Sequence, residues 1–368
     1  MAIGHPILYW RDDELILHEP VSNRRLVIWP FAVDLLQYLR TPRSLADVAA
    51  RFPGAGPVEL RKAIADLTRY GIVGPATRGV RPAHVLDPWS HWAPLASAYH
   101  FATRDPHIPD GEAAERVEDE LALVPTPPVR ALRAGRRSVR LPVSSRYDVF
   151  TRTLQSRRTW RVFGSKSVTV AQLAQLLHLS VGVHLWGKTP QGGAVAFKTS
   201  PSAGARQPIA AYVAARDVRG LPAGLYRYDD TGHRLERVAS GMSTRRMEGY
   251  VGKQWWFGPA SAMVFLAGTV GRVTGRYDHP RAYRFMLLEA GHICQTFCLA
   301  ATWMGLAPFC TAALADSTIE KDFGMDGIDE IVLYAAGVGT RPKSGYQQWP
   351  EHDKGRPYRR PGTKKAGK

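Results

Sequence analysis

The pattern of apolar and polar positions predicts a compact unit between Tyr9 and Val73. Two stretches, LYWRDDELILHE and RRLVIWP, are typical of strands. Three helical stretches follow them: FAVDLLQYLR, SLADVAARF and PVELRKAIADLTRY. Ser44, with Asp47 three residues later, predicts a capping box at the second helix, and Gly71 is expected to end the third.

This succession of strands and short helices indicates a winged-helix-like module. The third predicted helix has an apolar face at spacings of four and three residues, formed by Leu60, Ile64, Leu67 and Tyr70. Three roles stay open: DNA binding through a recognition helix, capture of a peptide, and dimerisation or packing. The helix has few basic residues and no set of side chains suited to base edges, which disfavours the first role.

A larger unit with a mixed α+β pattern begins after Tyr147. Helices are predicted at Asp148–Ser156 and Val170–Val181, followed by the strand AAYVAAR, the hairpin GLYRYDDTGHRLERV and the strand SAMVFLAGTV. A long helix, Ala282–Met304, and the strand EIVLYAAGVG complete the unit. The preceding stretch, Thr77–Val149, is rich in Pro and aromatic residues and is predicted to wrap around the protein, with one short acidic helix, GEAAERVEDELAL.

The 368 residues therefore divide into four predicted regions. Residues 1–80 form the winged-helix-like domain, 81–147 the wrapping linker, 148–345 the α+β domain and 346–368 a basic tail. Since 45% of the chain is apolar, a disordered or fibrous protein is excluded. The tail has seven Lys and Arg against two acids among Gly and Pro, which predicts a solvated segment.

The charge of the chain favours anionic partners without selecting one. Its 49 Lys and Arg exceed its 32 Asp and Glu by 17, which raises the local concentration of nucleic acids, phosphate-bearing cofactors, acidic peptides and acidic carrier proteins. The basic cluster at 130–146 lacks interleaved aromatic residues for base stacking, and we predict no nucleic-acid partner.

The location is predicted from apolar runs and cysteines. The longest uncharged apolar run, Ala260–Val270, is far shorter than the roughly 20 residues that cross a bilayer, and the amino terminus lacks the order of a signal peptide. We therefore expect a soluble protein with no membrane partner. The three cysteines are too few for a disulfide framework, which predicts a cytoplasmic location for the protein. The cysteines themselves are expected to have packing roles.

Three segments of the α+β unit carry residues that packing does not explain. The first, Ser156–Phe163, concentrates arginines and a hydroxyl that match the oxygens of a phosphate: Arg157, Arg158, Thr159 and Arg161. The second, Lys198–Pro208, is a loop of small residues through which backbone amides can approach a flat ring or an anion. Taken singly, each also fits an ordinary basic turn or loop.

The third segment, Arg276–Asp316, contains an acid and a histidine on the long apolar helix. Glu289 and His292 are three residues apart, and each is expected to have a partner because burial of either alone would cost several kcal/mol. Such a pair is typical of a structural contact. With no other ligand spacing, no metal site is predicted.

Five segments, taken in order, resemble the nitroreductase-fold flavoproteins, and within them the SagB-like dehydrogenases that oxidise thiazolines and oxazolines. They are SRRTWRVF, SPSAGARQP, LPAGLYRYD, RAYRFMLLEAGHICQ and GLAPFCTAAL, over about residues 148–342. The resemblance implies an α+β fold with a mostly antiparallel central sheet flanked by helices, and a homodimer that holds FMN at the subunit interface. The amino-terminal unit resembles the peptide-recognition modules fused to some members.

The resemblance also implies the residues of an FMN site. The phosphate would be held by the basic segment, Arg157, Arg158, Thr159 and Arg161, together with Arg341 after GVGT. The flavin ring would be bordered by Pro201, Ser202, Ala203 and Gly204, and flavin N5 would face the backbone amides of Thr311, Ala312 and Ala313. Cys310, Thr311 and Ala312 occupy the place of the family's usual Pro-Ile-Gly.

Azoline oxidases of this type carry a Lys-Tyr pair just before the RAYR segment, where this sequence has Arg276 and Tyr277. Arginine stays protonated, so it can hold an anion but cannot act as a base. Either Tyr277 transfers the proton while Arg276 holds its phenolate, or the chemistry differs from that of the family.

The expected function is FMN-dependent aromatisation of an azoline ring, with reoxidation by oxygen. The ring would be carried by a peptide or a carrier-protein-tethered chain, with a cyclodehydratase or an assembly line as a further partner. Two alternatives stay open: an NAD(P)H-dependent nitro- or quinone-reductase, and an inactive peptide-binding scaffold. Of Trp255 and Trp256, one is expected to pack and the other to form a substrate wall.

Overall fold

The computed structural model describes residues 2–3, 6–19, 21, 24–74, 88–89, 92–106, 141, 148–188, 193–252 and 254–347. The acidic helix predicted at 111–123 and nearly all of the basic tail lie outside these residues. The described helices are α1 (Pro30–Tyr38), α2 (Leu45–Arg51), α3 (Pro57–Arg69), α4 (Ala93–Thr103), α5 (Val149–Ser156), α6 (Val170–Ser180), α7 (Thr244–Tyr250), α8 (Val270–Thr274), α9 (Ala282–Trp303) and α10 (Asp316–Phe323).

The strands form one large sheet and several small ones. They are β1 (Ala2–Ile3), β2 (Ile7–Arg11), β3 (Glu14–Glu19), β4 (Arg24–Ile28), β5 (Val73–Gly74), β6 (Val168–Thr169), β7 (Leu185–Lys188), β8 (Ala194–Phe197), β9 (Ile209–Ala215), β10 (Val218–Arg219), β11 (Gly224–Asp229), β12 (Arg234–Ser240), β13 (Ala262–Thr269), β14 (Leu306–Thr311) and β15 (Glu330–Thr340).

The amino-terminal unit is a three-stranded antiparallel sheet, β2-β3-β4, followed by α1, α2 and α3. It has its own apolar core, to which the sheet contributes Leu17 and the helices contribute Leu35 and Val48. The predicted capping box of α2 is confirmed, because the Ser44 hydroxyl accepts from the Asp47 amide at 3.1 Å and the Asp47 carboxylate accepts from the Ser44 amide at 2.9 Å.

The third helix of this unit also matches its sequence pattern. α3 buries Leu60, Ile64 and Leu67, three of the four predicted apolar positions, whereas Tyr70 lies just after the helix and is half-buried. It ends just before Gly71, whose φ of +75° lies in the left-handed region that favours glycine. The edge strand β4 and the residue after it leave Val27 and Trp29 exposed.

A six-stranded antiparallel sheet forms the centre of the larger unit, in the order β12-β11-β9-β13-β15-β14. Alternate residues of β13 enter opposite faces, as the pleat of a strand requires. Val264 joins the core under α6 and α9, whereas Phe265 joins the core under α7 and α10. The sheet is therefore the middle of three layers, and its strand β14 lies at one edge.

The residues at 88–106 pack closely on this unit. Trp89 donates through its indole to the Ile328 carbonyl at 2.7 Å, and its side chain is fully buried. At the end of α4, the Arg104 guanidinium forms an ion pair with Glu320 of α10. This part of the predicted linker is thus fixed by buried rings and by a charge.

Among the described helices, α9 is long and apolar enough to cross a bilayer by length and composition alone. More than half of its apolar window is buried inside the protein. Its apolar character therefore matches its position over the central sheet.

Candidate functional site

The basic segment after α5 lies across the ends of two neighbouring strands. The Trp160 amide donates to the Pro308 carbonyl of β14 at 2.9 Å, and the Gly164 amide donates to the Thr340 carbonyl of β15 at 2.7 Å. These bonds fix the residues between them. Arg158 folds back and donates to the carbonyls of Gln155 and Arg157, which closes the carboxyl end of α5.

Arg341, which the resemblance adds to the phosphate ligands, contacts the basic segment through Trp160. Its guanidinium lies 5.4 Å from the centre of the Trp160 ring and donates to the Leu306 carbonyl at 3.0 Å and the Thr302 carbonyl at 3.1 Å. Trp160 stands between Thr159 and Arg161, so the structure brings these predicted phosphate ligands and Arg341 to one place.

The loop of small residues forms a tight turn with unusual backbone angles. Gly204, Ala205 and Gln207 have φ values of +56°, +51° and +46°, and the Ser202 hydroxyl accepts from the Gln207 amide at 2.9 Å. A Cβ placed on Gly204 would lie 2.6 Å from the Tyr277 hydroxyl oxygen. The loop and the predicted catalytic tyrosine are therefore in direct contact.

Tyr277 is held from two sides and remains half-buried. Its ring packs edge-on against Phe285 with a centroid distance of 5.3 Å, and its carbonyl accepts from the Trp92 indole at 2.9 Å. Arg276 is exposed beside it. The sequence analysis missed Trp92, although the two tryptophans of DPWSHW already indicate a buried aromatic contact.

Glu289 of α9 is buried in this neighbourhood, with 3% of its surface exposed. Neither carboxylate oxygen has a hydrogen-bond partner among the described residues. Burial raises the pKa of Glu289 to about 7, and the nearby Ser202 hydroxyl and Lys198 ammonium lower that pKa only in part. The expected contact of Glu289 with His292 is wrong, because Glu289 points into the core while His292 lies exposed on the helix surface.

The stretch predicted to face flavin N5 follows β14. The Thr311 hydroxyl donates to the Gln254 side chain at 2.5 Å and accepts from the Ala313 amide at 3.1 Å. Ala312 is exposed, and its amide has no acceptor in the part of the chain that the structure describes. The Ala312 amide is thus the one of the three best placed for a ligand.

The two tryptophans that precede this stretch have different environments. Their rings meet edge-on with centroids 6.0 Å apart. Trp256 packs against the core under α7 and α10, which is the packing role expected for one of the pair. Trp255 lies next to Gln254, which itself contacts Thr311.

The structure thus has a basic segment bonded to β14 and β15 and a small-residue loop against a tyrosine. The sequence model of the nitroreductase family matches residues 154–340, and the chain belongs to this family. Members of the family are oxidoreductases and bind FMN.

Three relatives extend this comparison. A candidate nitroreductase of Methanocaldococcus jannaschii is 32% identical over 168 residues, which cover 46% of this chain and 80% of the relative. Trifolitoxin-processing protein TfxB of Rhizobium leguminosarum is 24% identical over 89% of this chain and 91% of its own. Trifolitoxin operon protein TfxC of the same organism is 23% identical over 83% and 91%.

A solved structure shows a likeness over a similar length. A chain of the E. coli microcin synthetase McbBCD complex, solved with truncated pro-MccB17 bound, aligns with a TM-score of 0.46 at 20% identity. The alignment covers 69% of this chain and 96% of that chain.

Proposed function

We propose that this protein is an FMN-dependent oxidase that converts thiazoline or oxazoline rings to thiazoles or oxazoles during maturation of a peptide natural product. The observation that carries the proposal is the contact between the Tyr277 hydroxyl and Gly204 of the small-residue loop. This contact supports the proposal, because a tyrosine that transfers the proton would have to lie against the loop expected to border the flavin. The two trifolitoxin relatives, which match most of the chain, support a peptide substrate.

The residues present fit FMN. Arg341 lies over the ring of Trp160, which stands in the basic segment that carries Arg157 and Arg161, and guanidinium groups suit a phosphate. Gly204 has no Cβ, which lets the Tyr277 hydroxyl approach the backbone of the loop expected to border the ring. The exposed amide of Ala312 supplies a hydrogen-bond donor for a ring nitrogen.

The proposed reaction removes a proton and a hydride from two adjacent carbons of the azoline. When bound, FMN supplies the hydride acceptor, which oxygen restores with formation of hydrogen peroxide. Tyr277 acts as the base in its phenolate form, whose negative charge Arg276 holds, and it becomes a neutral phenol when it takes the proton from the carbon that carries the substrate carbonyl. General-base catalysis of this kind contributes about 10²–10⁴-fold to the rate.

We further propose that the protein acts as a homodimer. An apolar surface, the α5–α9 face, exposes Phe150 and Leu154 of α5 and Leu288 and Trp303 of α9. A groove of about 540 Å³ lies within it, with Phe150, Leu154 and Trp303 in its walls. A second copy of this chain would cover side chains that water otherwise surrounds.

The test uses the full chain with FMN and a synthetic peptide that carries one thiazoline next to a carbonyl. We expect the peptide to lose two hydrogen atoms by mass spectrometry while oxygen is consumed. Tyr277→Phe should retain FMN and its absorption but form no azole. Tyr99→Phe, which changes an exposed tyrosine of α4, is the matched control and should react normally.

The same preparation separates the proposal from an NAD(P)H-dependent reductase. Rapid bleaching of the bound flavin by NADPH, with no change in the peptide, would favour the reductase. Normal turnover by Tyr277→Phe would remove Tyr277 from the mechanism.

A further inference from the structure

The only three cysteines of the chain converge in the interior of the larger unit. Cys294 and Cys298 lie on α9, and Cys310 lies on β14. Their sulfur atoms are all within 4.8 Å of one another. Cys294 and Cys298 are 1% and 2% exposed, and all three are free thiols. The sequence predicts only packing for them, because it does not show that α9 crosses β14 at this point.

Two periodicities produce this convergence. Residues four apart on a helix lie on one face, which places Cys294 one turn before Cys298. On the sheet, Cys310 pairs with Ala336 of β15, and Tyr334, two residues away, points to the same face. Tyr334 and Cys310 pack against the core that contains Cys294. The strand pair thus presents a thiol and a phenol to two thiols of the helix.

The two helical thiols lie against the strand pair that carries Cys310. The Cys294 thiol donates to the Ala335 carbonyl of β15 at 3.9 Å, and the Cys298 thiol donates to the Phe309 carbonyl of β14 at 3.8 Å. The positive charge of Arg157 acts on Cys298 and Cys310. A thiol that binds a metal does so as the thiolate and releases its proton.

We propose that Cys294, Cys298 and Cys310 bind a thiophilic metal ion, Zn²⁺, with the Tyr334 hydroxyl oxygen as the fourth ligand. Zn²⁺ takes four ligands in tetrahedral structural sites, most of them thiolates, and the three cysteines with the phenol oxygen supply that number. Zinc–sulfur bonds of about 2.3 Å require sulfur atoms about 3.8 Å apart, so the cluster closes around the ion by small side-chain movements.

Charge selects the ion. Three thiolates and Zn²⁺ leave one negative charge, which the Arg157 guanidinium balances, whereas a monovalent ion would leave two. A buried excess charge is costly unless it is paired. The site is closed, with no open position for a substrate, so we assign it a role in holding α9 against β14.

The test measures metal retained by the full-length protein after incubation with Zn²⁺ under reducing conditions and gel filtration. We expect one zinc per chain by elemental analysis and, after replacement with Co²⁺, a thiolate-to-metal charge-transfer band in the difference spectrum. Cys298→Ser and Cys310→Ser should reduce the metal to background. Tyr334→Phe should weaken retention by roughly tenfold or more.

A second cluster of metal-binding side chains provides the control. His178 and His184 have ring centroids 4.4 Å apart on the surface. The double variant His178→Ala, His184→Ala should keep its zinc. Metal that follows the histidines, and survives in the cysteine variants, would overturn the proposal.

Because some variants could fold poorly, a second test measures the thermal stability of the unaltered protein. Zinc should raise the melting temperature of the unaltered protein, because an ion that binds only the folded state stabilises it. Equal melting temperatures with zinc and with a chelator would overturn the proposal. So would a thiol titration of the denatured, unreduced protein that finds one free thiol, since two would then be joined in a disulfide.

Discussion

The protonation state of Glu289 is expected to change the stability of the protein with pH. Its pKa is raised to about 7 by burial, so the folded state binds its proton more tightly than the unfolded state does. The stability of the protein should therefore fall as pH rises from about 5 to 8. Glu289→Gln has no group to ionise at this position and therefore lacks this loss of stability. We expect the free energy of unfolding of the variant, relative to that of the unaltered protein, to increase by about 2 kcal/mol over that pH range.

Urea unfolding at the two ends of this pH range measures the change in the free energy of unfolding. The charges of Lys198 and Arg272 lower the pKa of this carboxylate, so both residues are kept in every protein that is compared. Glu59→Gln, at an exposed site on α3, is the control and should show no such dependence. Parallel stability curves for Glu289→Gln and the unaltered protein would exclude a shifted pKa at Glu289.

Gly204 provides a second test at the scale of one residue. Alanine at this position meets both a φ of +56° and the Tyr277 hydroxyl at 2.6 Å. Gly241→Ala is the matched control, because Gly241 has a φ of +80° and no atom within 4 Å of the added carbon. We expect Gly204→Ala to lower FMN retention and azole formation, and Gly241→Ala to cost only about 1 kcal/mol of stability. Equal FMN content in the two variants would contradict the role given to the loop.

The sequence predicted residue types at the site better than it predicted contacts. The basic segment with Arg157 and Arg161 stands out in the sequence because several guanidinium groups lie within a few residues, whereas Arg341 came only from the family resemblance. The bond from Trp92 to Tyr277 was not, because the two residues are 185 positions apart. His292 faces solvent because of the way α9 is rotated about its axis over the sheet. The spacing of three residues between Glu289 and His292 does not determine that rotation.

At the scale of elements, α4 is fixed to α10 by one buried ion pair. The side chains of Arg104 and Glu320 are 15% and 3% exposed. Loss of the cation leaves a buried acid whose pKa burial already raises to about 7. Arg104→Ala should therefore cost about 3 kcal/mol at pH 8 and less at pH 6, where Glu320 can take up a proton.

Thermal or urea unfolding checks this prediction. Arg246→Ala is the comparison, since the pair of Arg246 with Asp322 is more exposed, and its loss should cost about 1 kcal/mol or less. Equal costs for the two variants would show that burial does not set the strength of the Arg104 pair.

Elements with strong local signals were predicted well, whereas β14 was missed. The capping box of α2 and the apolar run of β13 are local features. β14 is six residues long and contains Pro308, which lacks the amide that a central strand would use. Its place at the edge of the sheet accommodates this proline, and that place depends on its pairing with the distant strand β15.

At the scale of the whole molecule, the α5–α9 face is expected to hold two chains together. Phe150 is 66% exposed on this face. Phe150→Asp should give a monomer that loses FMN, because a buried carboxylate opposes association. Val238→Asp, at an exposed apolar position on β12, should remain dimeric. Sedimentation equilibrium distinguishes the two, and a dimeric Phe150→Asp variant that keeps its flavin would place the interface elsewhere.

The indole of Trp92 has a practical consequence for exchanging the amino-terminal module between relatives. A chimera with its junction at Asp148 would keep all residues of the family match. It would, however, lose Trp92, which donates to the Tyr277 carbonyl, and Arg104, which pairs with Glu320. A junction placed before residue 88 keeps both. In a chimera, the tryptophan-rich stretch should therefore come from the protein that supplies the nitroreductase-family unit, and the amino-terminal unit should be exchanged upstream of it.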